Sequence, residues 1–160
     1  MDVEILIANL GVPHQARALV GLLAMYALDP MGGGQGLSEF TKTNLVQELS
    51  KRPYAHVILA FWGGEAVGVV VAFEGFSTFA CRPLLNIHDI FVHPNYRGQG
   101  ISKRLLAKAE QIAVELGCCK LTLEVLEGNF IARAAYQSFG FKGYELDPKM
   151  GKALFLEKKL

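Results

Sequence analysis

Apolar residues recur along this chain with two different periods. Recurrence every three or four residues predicts amphipathic helices, and short apolar runs bounded by glycine or proline predict strands. The strongest helical pattern covers residues 98–116, and Gly117 stands where a C-terminal cap glycine belongs. The strongest strand pattern is a hairpin in which His56–Trp62 and Ala66–Phe73 flank Gly63-Gly64.

The remaining segments continue the alternation of strands and helices. Further strands are predicted at Val3–Ala8, Leu84–Val92, Cys119–Leu126, Phe141–Glu145 and Ala153–Lys158. Further helices are predicted from Pro13 to about Leu28, from a cap at Ser38 to near Lys51, and from Asn129 to Phe139. The order β-α-α-β-β-β-α-β-α-β-β predicts an α/β (α+β) fold, with a mixed central sheet of about seven strands flanked by four helices. We expect residues 1–160 to form a single domain.

Composition and charge limit the binding partners and the cellular location that we expect for this protein. The chain is 51% apolar and 19% charged, which is typical of a globular protein. Its 16 basic and 15 acidic residues nearly balance, so we expect no nucleic acid and no membrane surface as a partner. The apolar N-terminal run is short and lacks the basic flank of a signal peptide. Three cysteines without disulfide or metal-ligand spacing favour a cytoplasmic protein that binds no metal.

The loop that opens the long predicted helix carries the first candidate chemistry. Gly98 and Gly100 would let a ligand approach the backbone closely, and free amides at a helix start attract an anion. Arg97 adds a positive charge and Ser102 adds a hydroxyl group. The lysine of a P-loop and the third glycine of a dinucleotide fingerprint are both missing. On spacing alone, simple turn chemistry explains these glycines equally well.

Two motifs together resemble a known family. Residues 92–106, VHPNYRGQGISKRLL, resemble the central motif of the GNAT superfamily of N-acetyltransferases, Arg/Gln-x-x-Gly-x-Gly/Ala. The run from Asn129 through Ala132 and Tyr136 to Gly140-Phe141 resembles the second signature of that family. With 3.6 residues per turn, Asn129, Ala132 and Tyr136 share one helix face. Taken singly, Asn129 is explained as a helix cap and Tyr136 as a half-buried aromatic; the pair of motifs, in order and one strand apart, favours the family.

The resemblance implies a GNAT fold and a direct transfer of acetyl from acetyl-CoA to a primary amine. In that family the loop amides hold the CoA pyrophosphate, and the preceding strand, which splays from its neighbour, pairs with the pantetheine arm. The positions that this implies as cofactor-binding are Ile90, Val92, Arg97, Gly98, Gly100, Ile101, Ser102 and Asn129. Ser102 replaces the usual Gly or Ala but is also small. The resemblance makes Tyr136 the acid for the leaving thiolate, since a phenol is protonated at neutral pH.

The acceptor amine must lose a proton, and the candidate bases are His88, Asp89 and Glu124. Side chains alternate along a strand, so we expect His88 and Asp89 to point to opposite faces. Glu124 lies in an apolar strand and is either solvent-facing or functional. Residues 75–79 and 87–92 resemble the diamine and polyamine branch of the family, although His88 replaces its glutamate and Leu126-Glu127-Gly128 replaces its Trp-containing segment.

The acceptor itself stays open at this stage. A small primary amine is the first hypothesis, and a protein N-terminus or lysine, or a non-catalytic acyl-CoA-binding module, are the alternatives. The glycine-rich loop Met31–Gly36 is interpreted as a flexible connector in preference to a mobile lid. The family resemblance also suggests a homodimer, with Phe76, Phe79 and the C-terminal strands as contacts.

Overall fold

The structure, a computed structural model, describes residues 2–160. In chain order its regular elements are β1 (Val3–Ile7), α1 (Pro13–Leu28), α2 (Glu39–Ser50), β2 (Ala55–Trp62), β3 (Glu65–Ser77), β4 (Arg82–Val92), α3 (Ile101–Glu115), β5 (Leu121–Leu123) and α4 (Phe130–Phe139). Short 3₁₀ turns stand at Pro30–Gly32 and Pro94–Tyr96. The first nine predicted elements therefore occur in the predicted order, and the four helices are confirmed.

Local capping explains where the helices begin and end. The Ser38 hydroxyl accepts a bond from the Thr41 amide at 3.1 Å and starts α2, as predicted. The Asn129 side chain accepts from the Ala132 amide at 3.2 Å and starts α4. Gly140 ends α4 in the left-handed region at φ 109°, a conformation that glycine adopts without steric cost.

The strands form one mixed sheet in the order β1-β2-β3-β4-β5. Strands β1 to β4 pair antiparallel, and β5 runs parallel to β4. One face is covered by α3, whose Leu105 and Leu106 pack into a cluster with Ile58 and Val70. The other face carries α1 and α2. Both faces are thus buried, which is why β2 and β3 are almost continuously apolar.

The prediction of about seven strands is wrong, because five strands are found within residues 2–160. Residues 141–160, which were predicted to hold a final strand pair, form turns and irregular chain with Leu154 and Leu156 both 83% exposed. The predicted strand at 119–126 pairs only over Leu121–Leu123. A strand needs a partner edge, and three residues of β5 offer little edge for another strand. The alternation of apolar residues within one segment does not show how long an edge the neighbouring strand offers.

Candidate active site

A gap opens between β4 and β5 halfway along β4. The two strands pair from Leu85 with Leu121 to Ile87 with Leu123, and no ladder pair follows in the described chain. The side-chain amide of Asn86 donates to the Thr122 hydroxyl oxygen at 3.0 Å and links the two strands where they are paired. From there β4 continues to Val92, paired only with β3. The splay that the family resemblance implied is therefore present.

The free edge of β4 points its backbone groups into this gap. The His93 amide donates to the Val67 carbonyl of β3 at 2.8 Å. Backbone groups alternate between the two sides of a strand, so the N–H and C=O groups of Phe91 also point to β3. Those of Ile90 and Val92 point into the gap. These are the two residues that were expected to pair with a pantetheine arm, and the geometry fits that expectation.

The N-terminus of α3 lies at the end of this free edge. Gly98 and Gly100 have φ of 78° and 75°, and a Cβ built on either would meet no atom within 4 Å. No side chain caps α3, and within residues 2–160 no hydrogen bond occupies the amides of residues 98–103. Six unoccupied amides at the positive end of a 15-residue helix suit an anion such as a pyrophosphate. Ile101 is only 2% exposed and anchors this helix start in the core.

Arg97 is fixed beside the loop by three contacts. Its Nε donates to the Val92 carbonyl at 3.0 Å, and one Nη donates to Asp29 Oδ2 at 3.0 Å. Its guanidinium also lies 5.6 Å from the centre of the Phe91 ring. Asp29 follows α1, so an ion pair joins the segment after α1 to the cofactor loop.

Tyr136 lies on α4, is half-buried and packs on the same cluster as Ile90 of β4 and Leu123 of β5. Its ring packs edge-on against Phe141, with 6.0 Å between ring centres. Burial, and then the neighbouring Tyr26, raises the pKa of Tyr136 to about 12. Its hydroxyl is therefore protonated throughout the physiological range and is able to donate a proton or a hydrogen bond.

The expectation that His88 and Asp89 point to opposite faces is wrong. The β3–β4 register jumps from Val71 opposite Asp89 to Ala72 opposite Ile87, which leaves His88 as an extra, bulged residue. Ile87 and Ile90 both pack on the α3 side. The two residues between them therefore share the other face of the sheet.

Contacts on that face agree with this assignment. The His88 ring meets Phe73 edge-on at 5.4 Å, and Phe73 packs against the cluster under α1 and α2. Burial raises the pKa of Asp89, and the nearby His88 lowers it in part. The bulge thus places a desolvated carboxyl group next to an exposed imidazole.

Tyr26 of α1 was not among the site residues that the sequence predicted. Its ring stacks on Phe91 with 5.5 Å between centres, and burial and then the charge of Asp89 raise its pKa. Tyr26 also contributes to the raised pKa of Tyr136, so Tyr26 lies near both Asp89 and Tyr136. The one available signal was the position of Tyr26 in the last turn of a helix that precedes a glycine-rich loop.

Two predicted residues stand apart from this group. Glu124 follows β5 directly and is exposed, without an ion pair in the described chain. The Asn129 side chain caps α4, so its oxygen is already engaged. Residues 2–160 contain no cluster of three or more acidic, histidine or cysteine side chains able to hold a metal ion. None of their helices has the length and apolarity required to span a bilayer.

This chain is similar in sequence to known proteins. A model of the acetyltransferase (GNAT) family matches residues 20–141. The thialysine N-epsilon-acetyltransferase of Bos taurus is 36% identical over 78 residues, which are 49% of this chain and 45% of the bovine protein. The chain thus spans about half the length of that relative. An uncharacterized N-acetyltransferase of Archaeoglobus fulgidus is 34% identical over 111 residues, which are 65% of this chain and 76% of that protein.

Solved structures share the fold. An aminoglycoside acetyltransferase from an uncultured soil metagenomic sample superposes with a TM-score of 0.79 at 18% identity, covering 99% of this chain and 96% of that chain. An aminoglycoside N-acetyltransferase in complex with CoA superposes with a TM-score of 0.76 at 21% identity and the same two coverages. These superpositions confirm the fold that the two sequence motifs implied.

Proposed function

Because this chain belongs to the acetyltransferase (GNAT) family, we propose that it moves an acetyl group from acetyl-CoA directly to a primary amine of a small molecule. One observation carries this proposal. The free edge of β4 leads from the uncapped N-terminus of α3 into a gap, and Tyr136 of α4 packs on the same cluster as Ile90 and Val92 of that edge. An extended, anionic thioester needs this arrangement of groups: an anion site, a strand edge and a proton donor.

Each part of the chain then has a separate task. Acetyl-CoA supplies the activated acyl group as a thioester. The amides of residues 98–103 and Arg97 bind its pyrophosphate, and the backbone of Ile90 and Val92 aligns the arm along β4. The Tyr136 hydroxyl donates its proton to the departing thiolate, which would otherwise leave as an unprotonated anion.

The acceptor side suits a cation. Asp89 is a desolvated carboxyl group without a hydrogen bond or ion pair in the described chain, and an ammonium beside it would restore the charge balance. His88 lies on the same face and is the proposed acceptor of the proton that the amine must lose, directly or through water. Glu124, which follows β5, is the remaining candidate. Tyr26, which stacks on Phe91, lies near the Asp89 carboxyl group. Two of the proteins similar to this chain have names that specify cationic amines, thialysine and aminoglycosides, which supports the same class of acceptor.

Two measurements test this function. Acetyl-CoA and CoA should raise the melting temperature by linkage, whereas ATP and NAD, which lack the pantetheine arm, should raise it much less. A panel of small primary amines should then release free thiol from acetyl-CoA in the presence of the protein. Equal stabilisation by ATP would count against the cofactor site. Thiol release with peptide amines alone would replace the small-molecule acceptor by a protein N-terminus or lysine.

A further inference from the structure

Asp29 links two segments that are far apart in sequence. It ends α1, where its amide donates to the carbonyl oxygens of Met25 and Tyr26. One carboxylate oxygen accepts from the Met31 amide at 2.9 Å, and the other accepts from Arg97 at 3.0 Å, across 68 residues of sequence. Its side chain is 17% exposed, whereas that of Arg97 is 50% exposed. Both contacts hold the pKa of Asp29 below its usual range, the Met31 amide more strongly, so the carboxyl group is ionised at neutral pH.

The segment after Asp29 is also closely fitted to α1. The amides of Gly32 and Gly34 donate to the Asp29 carbonyl at 2.8 and 3.1 Å. A Cβ on Gly32 would stand 1.9 Å from the Tyr26 carbonyl oxygen, so only glycine fits there. The carboxylate of Asp29 is therefore held by the backbone around it and offers Arg97 a fixed partner.

Arg97 keeps part of its binding capacity in this arrangement. A guanidinium carries five N–H groups, and the bonds to Val92 and Asp29 use two of them. With the Phe91 ring beside it, the group is fixed on one side, and its other N–H groups remain for a ligand at the loop. A long side chain fixed in this way loses less rotamer freedom when it binds an anion.

We propose that Asp29 is a positioning residue, which holds the Arg97 guanidinium in the orientation that binds the pyrophosphate of the cofactor. This inference rests on the proposed function, because it needs an anionic ligand at the α3 N-terminus. It deepens that function by adding a residue outside both family motifs. It also gives the segment after α1 a defined connection to the cofactor loop.

Electrostatics alone predicts the opposite effect, which makes the proposal sharply testable. Asp29 carries a negative charge close to the expected pyrophosphate, so its removal should strengthen anion binding if the carboxylate has no positioning role. Asp29→Asn is the suitable variant because the amide oxygen keeps the bond from Met31 while the charge facing Arg97 is lost. The sign of the change in affinity decides between the two effects.

The experiment is calorimetric titration of CoA into the wild type, Asp29→Asn, Arg97→Met and the double variant. We expect Asp29→Asn to raise the CoA dissociation constant by up to about fivefold, the scale of an exposed ion pair. Arg97→Met should raise it further, and adding Asp29→Asn to Arg97→Met should not weaken binding any more, because the positioning effect acts through Arg97 and only the charge effect, which favours the anion, is left. Asp2→Asn is the matched control: Asp2 pairs with Arg104 at 3.0 Å in the first turn of α3, and its loss should leave CoA affinity unchanged.

The outcomes separate this inference from the proposed function. Unchanged or tighter CoA binding by Asp29→Asn, at an unchanged melting temperature, would overturn the positioning role and leave the cofactor site intact. A weakening that persists in the Arg97→Met background would also overturn it, because the effect would then not pass through the guanidinium. Failure of the wild type itself to bind CoA would overturn both proposals.

Discussion

Gly100→Ala tests the cofactor loop, and the stability that it should lose follows from the backbone conformation at this position. Gly100 has φ 75° and is the N-cap of α3, and a Cβ there would meet no atom within 4 Å. The substitution therefore adds no clash, only the strain of a left-handed L-residue, about 1–2 kcal/mol. For a chain of this length that strain lowers the melting temperature by about 2–8 °C.

The loss of binding free energy for the cofactor should be larger than the strain energy. The new methyl group enters open space within the loop whose amides, residues 98–103, are proposed to bind the pyrophosphate. Loss of one hydrogen bond to a charged group costs about 1.5–3 kcal/mol, which raises the CoA dissociation constant roughly 10- to 150-fold. Calorimetric titration of CoA measures the change directly.

Gly117→Ala is the matched control for Gly100→Ala. Gly117 has φ 73°, equally open space around a Cβ, and a position just beyond the opposite end of α3, about 25 Å away at 1.5 Å per residue. Both variants should lose similar stability, and only Gly100→Ala should lose CoA affinity. Equal CoA affinity in the two variants would refute the assignment of the α3 N-terminus as the cofactor site.

Two other substitutions test the catalytic and acceptor sides. Tyr136→Phe keeps the ring that packs on Phe141, so CoA affinity and fold should survive while kcat falls about 10²- to 10⁴-fold; steady-state kinetics that show full turnover would reduce Tyr136 to a packing residue. Asp89→Asn should raise the Michaelis constant for the amine more than that for acetyl-CoA, because it removes the charge that faces the ammonium. Burial raises the pKa of Asp89 above its unfolded-state value, which is about 3.9. The stability that is present below the unfolded-state pKa is therefore lost as the pH rises through the pKa of the folded state. Asp89→Asn should therefore raise the melting temperature at pH 7 and not at pH 3, and thermal scans at the two pH values that show no difference would contradict the desolvation of this carboxyl group.

The sequence determined the features that arise from local physics. Helix periodicity and the caps at Ser38, Asn129 and Gly140 are properties of neighbouring residues, so the helices appear close to the predicted positions. The two motifs are short and local as well, and they were sufficient to indicate the family and the expected cofactor. The course of the chain up to α4 followed from the same patterns.

Only the tertiary structure decided which distant groups meet. The bulge at His88 depends on the register between β3 and β4, and it reversed the expected separation of His88 from Asp89. The contact of Asp29 with Arg97 spans 68 residues and has no local signature. The C-terminal segment shows the same limit, because apolar alternation there predicted two strands for which β5 supplies too short an edge. Strand pairing and burial depend on contacts between segments that are far apart in the chain, and the order of residues along one segment does not contain them.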